Sequence, residues 1–221
     1  MEHRPTTEAS ETARETERRK RGRPVSVPSD ERREMIIEAA ESIFLEVGFA
    51  AANMDDIARR AGMSKRTVYE LFGNKQALFD ELLDLRRAGL PTSLDDTDAP
   101  DEELIDYLTK LTQHIMAPKQ IALQRVVFAE HMRDPERSQN LFNEAEKRGR
   151  GILSRWMARQ IAGGRIAVAD PDQAADMLFG MTVGTIHFKK LLLGREEHLS
   201  ADEIRQRIAR AVAIFLKGAA A

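Results

Sequence analysis

Apolar residues recur every three or four positions along most of the chain, which is the spacing of one face of an α-helix. No convincing run alternates apolar and polar residues, as a half-buried β-strand would. Glycine, proline and capping residues divide the pattern into segments. The predicted helices span about 30–47, 54–61, 65–72, 75–90, 100–117, 119–133, 135–163, 171–194 and 200–217. The pattern therefore predicts an all-α protein.

Two of the shortest helices are separated by a tight turn. Asn53 can cap the first, because its side-chain oxygen can accept a hydrogen bond from a free N–H of the first turn. Gly62 supplies a left-handed residue after that helix, and Ser64 can cap the second. Met63 and Val68 have the spacing of a hydrophobic staple across the second cap. The segment predicts a helix-turn-helix.

The second short helix predicts contact with DNA. Lys65 and Arg66 can meet guanine in the major groove, and the methyl group of Thr67 can meet thymine. Tyr69 and Lys75 are predicted to hold phosphates. The alternative is that Lys65 and Arg66 are solvated surface and Tyr69 is a half-buried core residue. The residues predicted to contact DNA here are Asn53, Ser64, Lys65, Arg66, Thr67, Tyr69 and Lys75.

Residues 1–29 form a polar segment that is predicted to be disordered on its own. Within it, Arg21-Gly22-Arg23-Pro24 resembles an AT-hook. Arg21 and Arg23 would enter a narrow, electronegative minor groove. The alternative is a solvated charged tail.

The chain from Met35 to Leu83 resembles the N-terminal domain of TetR-type transcriptional regulators, over about fifty residues without a gap. The likeness is carried by Gly48-Phe49, Asp56-Ile57-Ala58, Ala61-Gly62-Met63-Ser64-Lys65, Thr67-Val68-Tyr69, Phe72 and Lys75-Gln76-Ala77-Leu78. Ala52-Asn53 departs from the Thr or Ser pairs usual in the family. Because Asn caps a helix equally well, the departure concerns a phosphate contact and leaves the fold unaffected.

A second resemblance concerns the C-terminal part. Phe128-Ala129-Glu130-His131, Asp134-Pro135 and Leu141-Phe142 are similar to the C-terminal domain of AefR-like members of the same family. The two resemblances imply a three-helix DNA-binding domain followed by a larger helical domain for ligand binding and dimerisation.

Composition and punctuation set the domain boundaries. We expect a basic arm at 1–29, a DNA-binding domain with its linking helix at 30–90, and an effector-binding and dimerisation domain at 91–221. The net charge is only −2, so DNA affinity depends on local placement of Lys and Arg. There is no cysteine and no apolar N-terminal leader, and charged residues interrupt the longest apolar run. We expect a cytoplasmic protein that does not enter membranes.

The helix predicted at 171–194 is apolar on nearly every side and must be covered all round. Gly180 and Gly184 would allow another helix to approach closely. The last helix carries one apolar stripe, and two such helices from each of two chains would form a four-helix bundle. The family resemblance implies the same homodimer. The predicted interface residues are Gly180, Gly184, Ile204, Ile208, Val212 and Phe215.

Large apolar and adaptable side chains in the C-terminal part suit a pocket for a small molecule. The alternative is that they form ordinary core. The candidate effector-binding residues are Met116, Phe128, His131, Met132, Phe142, Trp156, Met177 and Met181.

No nucleophile motif, phosphate loop or metal-ligand spacing indicates an enzyme, a metal site or a cofactor. The family resemblance implies a homodimeric repressor that binds double-stranded DNA at a palindromic operator. A small apolar ligand would release it. The alternative is a regulator that acts without a ligand or under a protein partner.

Overall fold

The computed structural model describes residues 28–94, 100–194 and 199–220 of the 221-residue chain, and only the backbone at 100 and 137–150. These ranges are built from helices, which confirms the all-α prediction, and Ile166 forms an isolated β-bridge with Ala220. The helices are α1 (Ser29–Ala51), α2 (Met54–Arg60), α3 (Lys65–Phe72), α4 (Lys75–Arg87), α5 (Pro100–Ile115), α6 (Pro118–His131), α7 (Pro135–Ala162), α8 (Pro171–Phe179), α9 (Thr185–Leu193) and α10 (Ala201–Gly218). A π-helical turn, Gly180–Gly184, joins α8 to α9.

Helix α1 was predicted to end at Gly48, and its helical geometry does break there. Gly48 has φ 78° and ψ 167°, a conformation that only glycine adopts without strain. One further helical turn follows and ends at Ala51. The break redirects the chain, so that Phe49 returns over the core and Asn53 can begin α2.

The N-terminal helices share one apolar cluster. Ile36, Phe44, Ile57 and Val68 are fully buried in it. The ring of Phe49 lies 5.6 Å from that of Phe44 and 4.9 Å from that of Phe79. Phe49 therefore fills the core between α1 and α4. Full burial of such side chains stabilises a fold by about 1.5–3 kcal/mol each.

Helix α6 belongs to the same cluster, although it follows the predicted domain boundary. Leu123 and Val126 are buried among the residues of α1, and Val127 packs beside them. The hydrophobic pattern of α6 predicted a helix, but it did not predict that this helix packs against α1. Part of the core of the DNA-binding domain therefore comes from the C-terminal half of the chain.

A buried ion pair fixes α4 against α1. Arg86 Nε lies 2.7 Å from Glu41 Oε1, and a second guanidinium nitrogen lies 2.5 Å from Glu41 Oε2. Glu41 is 5% exposed. The hydrogen bonds to Glu41 raise the pKa of Arg86. Since the carboxylate has lost its water, it depends on this partner.

A second apolar cluster holds α5, α7, α8 and α10 together. Its fully buried residues include Leu108, Trp156, Met157 and Leu178. Local capping sets the helix starts, as the sequence predicted. Asp170 accepts from the N–H groups of Asp172 and Gln173 at the start of α8. Ser200 and Glu203 form a full capping box on α10.

The helix predicted at 171–194 is interrupted by the π-helical turn. The Thr182 hydroxyl donates to the carbonyls of Leu178, at 2.9 Å, and Phe179, at 3.2 Å. Arg207 on α10 donates to the carbonyls of Thr182 and Met181 at 3.3 and 3.4 Å. These donors satisfy carbonyls that a regular α-helix would engage, while Gly180 and Gly184 weaken the α-helical alternative.

The predicted dimer residues on α10 do not lie on an outer surface. Ile204, Ile208 and Val212 are buried in the protomer's own second cluster, and Phe215 packs partly into it. Their contact with a second chain stays a prediction. Within the protomer, the apolar stripe of α10 covers α5, because α5 and α10 pack together.

A different stripe of apolar side chains is exposed along α8, the π-helical turn and α9. It follows helical spacing, with Gly184 half-buried and Gly180 exposed beside it. We call it the outer stripe, and its exposed large residues are Met177, Met181, Phe188 and Leu192. In the described ranges, no helix is long and apolar enough to cross a membrane.

We predict that Arg86→Met lowers the free energy of unfolding by about 2 kcal/mol, because Glu41 loses its partner. Removing one partner of a fully buried pair typically costs about 3–5 kcal/mol, and the Arg86 guanidinium is partly solvated. Chemical denaturation checks this. Arg60→Met is the matched control, since Arg60 pairs with Glu46 of α1 at an exposed position and its loss should change little. Equal effects would contradict the assigned role.

Candidate nucleic-acid interface

The turn between α2 and α3 has the geometry that the sequence predicted. Asn53 Oδ1 accepts from the N–H of Asp56 at 2.8 Å, and Ser64 Oγ accepts from the N–H of Thr67 at 3.1 Å. Gly62 adopts φ 66°. The two caps and the left-handed glycine hold α3 at a fixed angle to α2, as in a helix-turn-helix.

Helix α3 has one buried side and one exposed side. Val68 and Phe72 are buried in the first cluster. The side chains of Lys65 and Arg66 are 65% and 86% exposed, and Tyr69 is 48% exposed. Tyr69 is therefore exposed over about half of its surface and is not part of the first apolar cluster. Contact of these residues with DNA stays a prediction.

Thr67 lies between the two sides. It is half-buried, and its hydroxyl lies 2.8 Å from the hydroxyl of Ser64. These two residues therefore build the cap of α3 in the unbound chain. Their predicted contact with DNA also stays a prediction.

Arg33 of α1 supports the back of α3, and the sequence reading missed it. Its guanidinium donates to the carbonyl of Leu71 at 3.1 Å and to Glu81 Oε1 at 2.6 Å. It also lies 4.5 Å from the centre of the Phe72 ring. One cation therefore ties the end of α3 to both α1 and α4. Its partners are 38 and 48 residues away, beyond the reach of spacing rules.

The exposed cations of α3 are paired with carboxylates. Lys65 forms an ion pair with Asp55 of α2, and Arg66 Nε lies 2.6 Å from Glu70 Oε1. The hydrogen bond to Glu70 raises the pKa of Arg66. The spacing of four between Arg66 and Glu70 was a signal in the sequence that the prediction did not use. The Lys65–Asp55 pair forms only once the turn brings the two helices together.

Lys75, which was predicted to hold a phosphate, contacts backbone carbonyl oxygens in the unbound chain, and its contact with DNA stays a prediction. Its ammonium group lies 2.7 Å from the carbonyl oxygens of Phe49 and Ala52, and 3.3 Å from that of Ala50. It also lies 4.5 Å from the centre of the Phe49 ring. Burial lowers its pKa. In the unbound chain Lys75 therefore closes the end of α1, and all three of its N–H groups have acceptors.

The predicted arm contacts lie outside the described residues. Arg21 and Arg23 precede residue 28, where the description begins. Their minor-groove role stays a prediction from sequence.

The predicted effector residues are not gathered around one space. Met116 and Trp156 are buried and His131 is half-buried. Phe128, Met132, Met177 and Met181 are exposed, the last two on the outer stripe. The side chain of Phe142 lies outside the described residues. The fold therefore does not bring these residues together to line one pocket within a protomer. Among the described residues, no group of His, Asp and Glu is placed to hold a metal ion.

These features define the class of protein. A helix-turn-helix with an exposed basic recognition helix, joined to a larger helical domain, is the organisation of a DNA-binding transcriptional regulator. Residues 36–82 match the bacterial regulatory proteins of the tetR family, and residues 102–218 match the AefR-like transcriptional repressor, C-terminal domain. The chain belongs to the TetR family. Both resemblances noted in the sequence are confirmed.

Similar proteins include a transcriptional repressor and a transcriptional activator. The HTH-type transcriptional repressor SCO4008 of Streptomyces coelicolor is 29% identical over 191 residues, covering 80% of this chain and 90% of that protein. The HTH-type transcriptional activator FasR of Mycolicibacterium smegmatis is 40% identical over 77 residues. That match spans only 32% of this chain and 35% of FasR. The solved structure of the flavonoid-responsive regulator FrrA is 29% identical, with a TM-score of 0.71, and covers 86% of this chain and 97% of that chain.

We predict that Lys75→Met and Lys65→Met differ in the salt dependence of DNA binding. Each phosphate that a protein neutralises adds about 0.9 to the slope of log affinity against log salt. On the enriched duplex, Lys65→Met should lower that slope by about this amount, because Lys65 can leave Asp55 for DNA there. Lys75→Met should weaken binding and melt at a lower temperature, with the slope unchanged, since its ammonium caps α1.

Fluorescence anisotropy from 50 to 300 mM salt, with a duplex enriched by the wild-type chain from a random pool, provides the slopes. A slope lowered equally by both substitutions would restore the phosphate contact of Lys75.

Proposed function

We propose that the protein is a homodimeric repressor acting in the cytoplasm, which binds a near-palindromic operator and is released by a small apolar molecule. The observation that carries the proposal is the exposed, basic side of α3 on a DNA-binding core that also contains α6. The repressor SCO4008, similar over most of its length, supports the sign of regulation. The short match to the activator FasR concerns a region too small to argue the opposite sign.

The outer stripe supports the dimer. Phe188 is 62% exposed and Leu192 60% exposed, and large apolar side chains in a continuous row favour a protein interface. Ile214 of α10 is also exposed. A second chain covering this stripe would complete the bundle of α8, α9 and α10 without disturbing the inward residues. A dimer would also place two recognition helices in successive major grooves, about 34–36 Å apart.

Helix α6 supports a path from the effector domain to the DNA-binding core. One side of it packs on α1 through Leu123 and Val126. Between them on the chain, Arg125 donates to the carbonyls of Leu191, at 2.9 Å, and Lys190, at 2.8 Å. The end of α9 is thus held by a residue of α6. A displacement of α9 would be passed to α1 through packed side chains, as a two-state switch requires.

A second polar contact strengthens this path. His187 of α9 lies 2.6 Å from Gln124 Oε1, and the amide nitrogen of Gln124 donates to the carbonyl of Ile115 at 3.0 Å. Burial lowers the pKa of His187. A neutral imidazole at this site can donate to the Gln124 oxygen without bringing a charge between the helices.

The linking helix α4 is held at the same junction. The carbonyl oxygen of Arg86 lies 3.1 Å from the side-chain nitrogen of Gln120 and 3.0 Å from Nε2 of His114. Gly89 leaves the room that His114 needs, because a Cβ there would lie 2.6 Å from the imidazole. The end of α4 therefore follows the α5–α6 corner. Ligand-driven movement of that corner would change the angle of the DNA-binding domain.

The composition of the second cluster supports an apolar effector. Its buried residues are mainly Leu, Ile and Ala, which offer dispersion contacts rather than charge. The related regulator FrrA responds to flavonoids, which are flat aromatic molecules. We propose a similarly flat, apolar effector for this chain.

Phe188→Asp should convert the dimer to a monomer, because a carboxylate in the centre of an apolar interface would lose its hydration. Sedimentation velocity measures the mass, and circular dichroism confirms that the helices remain. Leu85→Asp is the control, since Leu85 is also exposed but lies on the linking helix. A Phe188→Asp protein that remains dimeric would place the interface elsewhere.

The release of DNA tests the proposed function as a whole. The wild-type chain should enrich a near-palindromic duplex from a random pool. A panel of flavonoids and other flat apolar molecules should include one that lowers affinity for that duplex at least tenfold and raises the melting temperature of the free protein. Enrichment without release by any member of the panel would favour a regulator that acts without such a ligand.

A further inference from the structure

The cations on the exposed side of α3 are already neutralised within the chain. Lys65 is paired with Asp55, and Arg66 is paired with Glu70. All four side chains are about half exposed or more. Exposed ion pairs are weak and exchange partners readily, so DNA can compete for both cations. The surface offered to DNA nevertheless carries two carboxylates as well as two cations.

Helix stability does not explain the Arg66–Glu70 pair. The first turn of a helix favours acidic residues and the last turn favours basic ones, because of the helix dipole. In α3 the first turn holds no acidic residue and the last turn no basic one. The pair also runs from a basic to an acidic residue along the chain, which is the weaker orientation at this spacing. Both charges are therefore placed against the preference of the helix.

We infer that Asp55 and Glu70 are specificity-determining residues, which hold Lys65 and Arg66 back from phosphates and release them to matching base edges. This inference builds on the proposed operator binding. Binding to DNA of any sequence draws on phosphate neutralisation, and a cation already paired contributes little to it. A carboxylate left beside the backbone also repels phosphates.

A base edge can displace the carboxylate where a phosphate does not. Arg contacts guanine O6 and N7 with two hydrogen bonds, and such a contact discriminates between bases by about five- to 150-fold. An exposed ion pair is worth a few-fold at most. A guanine edge in the matching sequence therefore displaces Glu70 from Arg66. A single phosphate binds Arg66 little more tightly than Glu70 does. The two carboxylates lower affinity for all DNA but lower it most for the wrong DNA.

Three single variants test the inference on the full chain. Asp55→Asn and Glu70→Gln remove one carboxylate each from the exposed side of the helix-turn-helix. Glu102→Gln is the matched control, because it removes an exposed carboxylate that pairs with Arg205 on the effector domain. Each variant is titrated with a 30-bp duplex of random sequence and with the duplex enriched by the wild-type chain, at several salt concentrations.

Glu70→Gln and Asp55→Asn should each bind the random duplex about two- to fivefold more tightly, with a salt slope steeper by about 0.9 for the freed cation. The enriched duplex should gain less, so the ratio of the two affinities falls. Glu102→Gln should match the wild-type chain in its affinity for each of the two duplexes. Circular dichroism checks folding, and if Asp55→Asn is destabilised, Glu70→Gln alone decides.

Equal gains on both duplexes, or gains no larger than those of Glu102→Gln, would overturn the inference. So would a loss of affinity by Glu70→Gln for the enriched duplex alone, which would make Glu70 a base contact. Failure of the wild-type chain to enrich any duplex is a separate result, and it would count against operator binding itself.

Discussion

Burial of the apolar face of α1 is the constraint on which the other helices depend. Ile36, Ala40 and Phe44 are fully buried, and no single neighbouring element covers them. The helix-turn-helix and α4 cover one part of this face, and α6 covers another. Because interiors are close-packed, α6 cannot move relative to α1 without exposing apolar surface or repacking it. A helix of the C-terminal domain is thereby made part of the DNA-binding core.

Around that core, a few long-range polar contacts set the orientation of the recognition helix. Arg33 ties its end to α1 and α4, Lys75 closes the end of α1, and Arg86 holds α4 on Glu41. Each of these cations reaches acceptors on another helix and is wholly or partly shielded from water. Lys65 and Arg66, the cations proposed to contact DNA, differ in one respect: their partners are exposed carboxylates, which exchange easily. Burial thus separates the cations that build the domain from those that can leave for DNA.

The C-terminal domain distributes its apolar surface in two directions. Ile208 and Val212 face inward to cover α5, while Phe188 and Leu192 face outward. The π-helical turn lies between Met177 and Phe188 of the outer stripe. Within it, Thr182 donates to the carbonyl of Leu178, and Arg207 donates to the carbonyl of Thr182. At the end of the same row, Arg125 and Gln124 connect α9 to α6. We therefore propose that the continuous row of α8, the π-helical turn and α9 serves both subunit association and the control of α1.

The sequence alone determined whatever is decided within a few residues. It predicted the caps at Asn53 and Ser64, the left-handed Gly62, and the all-α class, because capping and helical spacing are local effects. Tertiary structure decided which apolar stripe is covered by the same chain, which left Ile204 inside and Phe188 outside. It also decided the partners of Lys75 and Lys65, since a long flexible cation takes whichever acceptor folding brings near. Spacing along a chain shows that a helix has an apolar face, but only packing shows what that face meets.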